Sequence, residues 1–236
     1  IMRGDEPTQM SDRELLRDIA NYLNSRSAKF GRYSDLTDPQ TIANMSDAMV
    51  DEALYALSQD KNAIGWYDSK MKEAMSYVYD YYPELKNDSG KEFLFKAFVA
   101  ITSNGQDVLS NFGYGRDLYD EYRNTKKIPT KITFGGKNAD AMEKSFIALK
   151  TIIDEHGLDG ARDYIMKRRT VKEMNEINKK LGLDSVKGEL VDYEARTSLI
   201  FGPKIGSFLG NLYGDFSTFT MDRWFMRTFN RHQGVL

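Results

Sequence analysis

Apolar positions recur at intervals of three and four residues along most of this 236-residue chain. That period is typical of amphipathic α-helices. Alternating β-branched runs bounded by Asn-Gly turns, which would mark strands, are not evident. Only five prolines interrupt the pattern. The chain is therefore predicted to be all-α, with about ten short helices.

The predicted helices differ in how far their apolar residues extend around the axis. Ser11-Asp12-Arg13-Glu14 has the form of a capping box and predicts a helix to about Leu23. Residues 91–102 are apolar on nearly every side, which indicates a central, buried helix. The other predicted helices cover residues 45–57 (after a turn at Asp38-Pro39), 66–82, 107–124, 140–156, 160–167, 171–181, 187–200, 204–213 and 221–230.

Glycine and proline mark where several of these helices end. Gly157 and Gly182 stand where helix C-caps are expected. Phe201-Gly202-Pro203 predicts a tight turn between two helices, and residues 126–137, rich in Lys, Pro and Gly, predict a connecting loop.

Composition narrows the classes of site that the chain can hold. It has no cysteine, which excludes disulfides, zinc fingers, iron–sulfur clusters and thiol nucleophiles. Its two histidines, His156 and His232, are far apart, so no metal site and no cofactor are expected. No apolar run approaches the roughly 20 residues of a membrane span, so no membrane partner is expected. Because the chain starts at Ile1, without a signal peptide, we expect a cytoplasmic monomer or a domain of a larger polypeptide.

The chain carries 33 Lys and Arg against 35 Asp and Glu, a net charge of −2. Such a balance argues against a protein whose whole surface binds nucleic acid, but it allows a local basic face. Between residues 200 and 236 the cations are Lys204, Arg223, Arg227 and Arg231, against Asp215 and Asp222.

The most informative segment is residues 199–208, where an apolar helix passes through a Gly turn into a second helix. The amide N–H groups at the start of a helix bind phosphate readily. Asp222 follows Lys204 by eighteen positions, at the start of another predicted helix.

These residues resemble the helix–hairpin–helix DNA glycosylases of the endonuclease III type. In that family the hairpin ends in a Gly-x-Lys turn and a catalytic Asp follows; in bifunctional members the lysine is the nucleophile, at the same spacing. The resemblance implies that Lys204 and Asp222 are catalytic and that DNA is the partner. It further implies substrate contacts by Gly202, Gly206, Arg223, Trp224, Arg227 and Arg231.

A second segment, residues 100–111, resembles the family motif of small residues, Ser and Gln at a helix end. In the family a polar side chain there enters the gap left by the flipped nucleotide. Asn104 or Gln106 would have that role. Asn111 matches a Ser-to-Asn motif of phage and mobile-element relatives.

The resemblance covers about residues 90–236 and implies a two-lobed, all-α glycosylase fold with a cleft between the lobes. Residues 91–236 would form the core, and residues 1–90 would complete one lobe. The chain departs from the family at Ile200, where a Gly is usual, and at Trp224, where a His is usual. The absence of cysteine implies a relative without the iron–sulfur cluster.

The implied reaction is DNA base excision, with AP lyase activity as an added possibility. Asp222 would stabilise the positive charge that develops on the sugar, and a neutral Lys204 amine would attack C1′. The base must first leave the stack. Aromatic candidates for holding it are Trp66, Tyr67, Phe112, Tyr114 and Trp224.

Plainer interpretations stay open for each residue and for the whole chain. Asp222 could be a helix N-cap, and Lys204 a solvated lysine at a helix start. The chain could be a non-catalytic DNA-binding or structural module of a phage or mobile-element polyprotein. It could also be an antibacterial toxin domain that is delivered into a target cell and attacks its DNA.

Overall fold

A computed structural model describes residues 38–59, 66–103, 108–187, 190–215, 217–218, 220 and 223–232. Within these ranges the chain is mostly helical, which confirms the all-α prediction, with one short two-stranded ribbon added. The predicted helix from Ser11 to Leu23 lies outside the described residues. No helix within the described ranges is long and apolar enough to cross a membrane.

The helices of the described ranges are α1 (Pro39–Gln59), α2 (Trp66–Tyr81), α3 (Ser89–Thr102), α4 (Val108–Thr125), α5 (Ala139–Met166), α6 (Val171–Leu181), α7 (Pro203–Asn211) and α8 (Arg223–His232). Short 3-10 helices cover Pro83–Lys86, Gly136–Asn138 and Thr197–Phe201. The ribbon consists of strands β1 (Arg168–Thr170) and β2 (Glu194–Arg196), which pair antiparallel.

The chain divides into two compact units: Ile1–Glu73 with Met221–Leu236, and Ala74–Thr220. The boundary falls inside α2. The sequence-based division into residues 1–90 and 91–236 remains a prediction.

In the first unit, α1 and α8 pack against each other. Asp38 caps the start of α1, where its carboxylate accepts hydrogen bonds from the Thr41 amide at 2.9 Å and the Thr41 hydroxyl at 2.8 Å. These bonds lower the pKa of Asp38. Near the end of α8, His232 Nε2 lies 2.5 Å from Glu52 Oε2 of α1.

In the second unit, α3 is the central helix, and α4, α5 and α7 pack around it. Its apolar residues are buried on every side, as their distribution predicted; Phe93, Phe95 and Phe98 have no exposed surface. The ring of Phe95 meets Tyr119 of α4 edge to face, with centroids 5.7 Å apart. The helix begins at Asp88, whose carboxylate accepts a hydrogen bond from the Lys91 amide at 2.9 Å.

The prediction of a helix over residues 187–200 is wrong. The described residues there form a turn, then β2, then the 3-10 helix Thr197–Phe201. Their backbone groups bond elsewhere: Val191 and Tyr193 accept from the amides of Lys172 and Val171, each at 2.9 Å. The partner strand β1 and the start of α6 lie nineteen or more positions away along the chain, so helical periodicity gave no sign of them.

Two glycines that were predicted to interrupt or end a helix do so in the structure. Gly182 ends α6 with a left-handed φ of 68°. Gly157 has φ 70° and ψ 177°, so it interrupts the helix as predicted, although the two parts continue as the kinked helix α5. The loop predicted over residues 126–137 is confirmed up to the 3-10 helix that begins at Gly136.

Candidate functional site

The predicted turn at Phe201-Gly202-Pro203 is present and joins the 3-10 helix Thr197–Phe201 to α7. Gly202 has φ 94° and ψ 162°, a conformation that residues with a side chain rarely adopt. Pro203 occupies the first turn of α7, where its missing N–H costs nothing. The hairpin thus consists of the short 3-10 helix Thr197–Phe201, the turn at Gly202, and the α-helix α7.

The two helices of the hairpin cross at Gly206. A Cβ atom at this position would lie 2.3 Å from the Ser198 carbonyl oxygen and 2.6 Å from Leu199 Cα. Ser198 Oγ in turn donates to the Gly206 carbonyl at 2.8 Å. Gly206, which the resemblance implies to contact DNA, is buried in the packing of the hairpin itself.

The start of the hairpin is tied to the rest of its unit by Arg196, the last residue of β2. Its guanidinium forms an ion pair with Asp215 and donates to the Met166 carbonyl at 2.7 Å. Burial acts to raise the pKa of Asp215, but hydrogen bonds from Ser217 and Arg196 outweigh burial, so the pKa is lowered. The pair joins the residue before the hairpin to the turn that follows α7.

Lys204 is the second residue of α7 and is partly buried. Its Nζ donates to the main-chain carbonyl of Ser103 at 2.6 Å. Ser103 follows the last residue of α3, so the lysine supplies a cation and a donor at the carbonyl end of that helix. The amine proposed as a nucleophile is thus positioned by the central helix.

Asn111 is on the first turn of α4 and is only 4% exposed. The Thr102 hydroxyl at the end of α3 lies 2.6 Å from Asn111 Oδ1, within hydrogen-bonding distance. This contact joins the last residue of α3 to the first turn of α4. Asn104 and Gln106, the predicted base-gap residues, lie in that connection and outside the described residues.

Apart from the aromatic candidates Phe112 and Tyr114 on α4, the remaining predicted site residues belong to the first unit. Asp222 lies outside the described residues. Arg223, Trp224 and Arg231 are part of the α8 backbone, but their side chains lie outside what the structure describes. Arg227 on the same helix is exposed.

The structure therefore brings together Lys204, Gly202, Gly206 and, through neighbouring residues of α3, Asn111. Sequence reasoning missed Ser103 as the partner of Lys204, because a main-chain carbonyl has no side-chain signature. Nor did it single out Phe134, whose ring stacks on Tyr114. Within the described part of the chain, no group of three or more acidic or histidine side chains could hold a metal ion.

Comparison of the chain with protein-family models, with curated proteins and with solved structures finds no match.

Proposed function

We propose that this protein excises bases from DNA, as an N-glycosylase with accompanying AP lyase activity, by means of Lys204 and Asp222. The fold proposed with this function is the two-lobed helix–hairpin–helix glycosylase fold. The observation that carries the proposal is the position of Lys204 directly after the Gly202-Pro203 turn, with its amine fixed at the end of α3. The role of Asp222 rests on the sequence resemblance.

In the proposed reaction, the Lys204 amine must leave the Ser103 carbonyl and lose its proton before it attacks C1′. As the new C–N bond forms, the glycosidic bond breaks, and its electron pair leaves with the base, which takes up a proton. Asp222 stabilises the cationic sugar during this step. The nitrogen of this adduct then loses a proton, and its electron pair expels O4′, which takes up a proton as the sugar ring opens to a protonated Schiff base. The Schiff base loses a C2′ proton, and the 3′ phosphate departs by β-elimination.

Borohydride trapping on DNA that contains an abasic site tests the lysine step, because reduction makes the Schiff base permanent. We expect a covalent adduct with the wild type and with Lys180→Arg, a control at an exposed lysine of α6. We expect no adduct with Lys204→Arg, which keeps a cation near Ser103 but lacks the amine. An undiminished adduct with Lys204→Arg would eliminate Lys204 as the nucleophile.

The carboxylate is tested separately by base release from a panel of damaged duplex and single-stranded substrates. Asp222→Asn removes the charge with little change in shape, and we expect it to abolish release. Full release by Asp222→Asn would refute the glycosylase mechanism as proposed.

A second candidate is a non-catalytic DNA-binding or structural module. The hydrogen bond from Lys204 to Ser103 favours it, because donation to the carbonyl end of α3 is a structural role that requires no catalysis. Gel-shift binding of DNA without base release from any member of the panel would select this second function.

A further inference from the structure

The rings of Tyr114 and Phe134 form a stacked pair at a partly exposed position. Their centroids are 4.0 Å apart and their planes differ by 5°. Tyr114 is on α4, and Phe134 is near the end of the segment between α4 and the next 3-10 helix. In the core of the same unit, by contrast, Tyr119 meets Phe95 and Tyr82 nearly edge on, at 82° and 78°. The pair thus consists of two parallel rings on partly exposed residues.

The segment that carries Phe134 is basic. Residues 126–137 contain four lysines and no acidic residue. Lys127 is exposed and forms no ion pair within the described part of the chain. Lys131 is also exposed, although its ammonium lies 2.6 Å from Glu143 of α5. This segment, residues 126–137, is called the basic loop below.

The basic loop is held in place on both sides of Lys131. Ile128 and Pro129 are buried, and the Ile132 amide donates to Glu143 at 3.2 Å. The hydrogen bond from Lys131 is the main reason that the pKa of Glu143 is lowered. Phe134 therefore meets Tyr114 from an anchored segment, which limits the conformational entropy that a ligand would have to remove.

One member of the stacked pair, Tyr114, is close in sequence to Asn111, which contacts the end of α3 beside the residue that Lys204 binds. Tyr114 follows Asn111 by three positions on α4, so both side chains lie on one side of that helix. Asn111 contacts Thr102, and the next residue, Ser103, accepts the hydrogen bond of Lys204. The aromatic pair and the proposed catalytic lysine therefore belong to one unit, with Asn111 on the helix that carries Tyr114.

We propose that Tyr114 and Phe134 form a stacking surface for an unpaired base of single-stranded DNA. The lysines of the basic loop attract the phosphates of the same strand. Aromatic faces beside cationic side chains bind single strands with little sequence preference, since every base has a flat π-face. The choice of DNA rests on the proposed function, but the binding requires neither Lys204 nor Asp222.

Fluorescence anisotropy of the full chain with a labelled oligothymidylate at fixed salt tests this surface. We expect Tyr114→Leu and Phe134→Leu each to weaken binding about tenfold or more. Tyr114→Phe and Phe134→Tyr keep the rings and should bind as the wild type does. Tyr77→Leu is the matched control, because Tyr77 is a tyrosine of α2 that is 68% exposed.

A second measurement requires no variant. An oligonucleotide that carries 5-iodouracil, irradiated with the wild-type protein, should cross-link to Tyr114 or Phe134, as located by mass spectrometry. The inference is overturned if the wild type does not bind the single strand or if the cross-link maps to other residues. It is also overturned if Tyr114→Leu and Phe134→Leu bind the single strand as tightly as the wild type does. Circular dichroism shows whether the two variants are folded.

The outcomes separate this inference from the proposed function. If no borohydride adduct forms but the two leucine variants lose single-strand affinity, the lysine chemistry fails and the stacking surface stands. If the adduct forms and the leucine variants bind normally, the stacking surface alone fails.

Discussion

Lys204 Nζ donates to the main-chain carbonyl of Ser103 at 2.6 Å, although the two residues are 101 positions apart in the chain. The bond joins the start of α7 to the end of the central helix α3. One side chain thereby has a structural role and, in the proposed function, a chemical role. The two roles require different properties, a donor for the first and a neutral amine for the second, so they can be separated by substitution.

Replacing Lys204 with Ala should lower the free energy of unfolding by about 1 kcal/mol, because the carbonyl end of α3 loses a charged hydrogen-bond donor. Lys204→Arg should lower it less, since a guanidinium can still donate there. Urea denaturation monitored by circular dichroism measures both. Equal stability of Lys204→Ala and wild type would show that the bond contributes nothing to folding.

Gly206→Ala should destabilise the protein by about 1–3 kcal/mol or more, because the new methyl group meets the Ser198 carbonyl oxygen at 2.3 Å. Neither helix of the hairpin can relieve that contact without moving its backbone. The matched control is Gly113→Ala on α4, where a Cβ would meet nothing within 4 Å. The control should be neutral or stabilising by up to about 1 kcal/mol. Thermal denaturation should therefore show a lower midpoint for Gly206→Ala and an unchanged or higher midpoint for Gly113→Ala. An unchanged midpoint for Gly206→Ala would contradict the close crossing.

Asn111→Ala and Thr102→Val should each cost about 1–3 kcal/mol, because each removes one partner of a buried hydrogen bond. The double variant should cost less than the sum of the two by at least about 0.5 kcal/mol. Thr133→Val, at an exposed position, should stay within about 0.5 kcal/mol of the wild type. Urea denaturation measures these costs. If the cost of the double variant equals the sum of the two single costs, the two side chains do not stabilise each other.

Asp215 should make stability depend on pH in the acid range. Its pKa in the folded protein lies below the ordinary value of 3.8, so its carboxylate stabilises the fold fully well above that value. That contribution is lost as the pH falls through the folded-state pKa, when protonation breaks the pair with Arg196. The stability advantage of the wild type over Asp215→Asn should therefore be constant near neutrality and shrink below about pH 4.

The control for this experiment is Asp117→Asn, which removes an exposed carboxylate whose ion pair with Arg116 is open to solvent. Its stability difference from the wild type should be small at every pH. A pH-independent difference between the wild type and Asp215→Asn would contradict the lowered pKa.

The sequence was sufficient for features that depend on local pattern. The all-round apolar character of residues 91–102 identified the central helix, because only a buried helix tolerates it. The breaks at Gly157, Gly182 and Gly202 were predictable, since a positive φ favours glycine. The position of Lys204 was predictable as well, because Gly202 and Pro203 mark a tight turn directly before it.

Features that depend on distant partners were missed. The segment around Glu194 was predicted to be helical because its pairing with Thr170 across the ribbon leaves no periodic signal. The hydrogen bond between Lys204 and Ser103 and the stack of Tyr114 on Phe134 each join elements that sequence spacing does not relate. Asp222 lies outside the described residues, so its role remains a prediction from the sequence.

The contact between α1 and α8 has a consequence for how the chain is made. Glu52 and His232, which meet across it, are 180 positions apart. At typical synthesis rates of about 5–20 residues per second, roughly 10–40 seconds pass between the appearance of the two. During that interval α1 has no α8 to pack against, and all of Ala74–Thr220 is translated within it. A ribosome that stalls just after Thr220 would therefore carry a nascent chain in which the second unit has been fully translated and the first unit lacks α8.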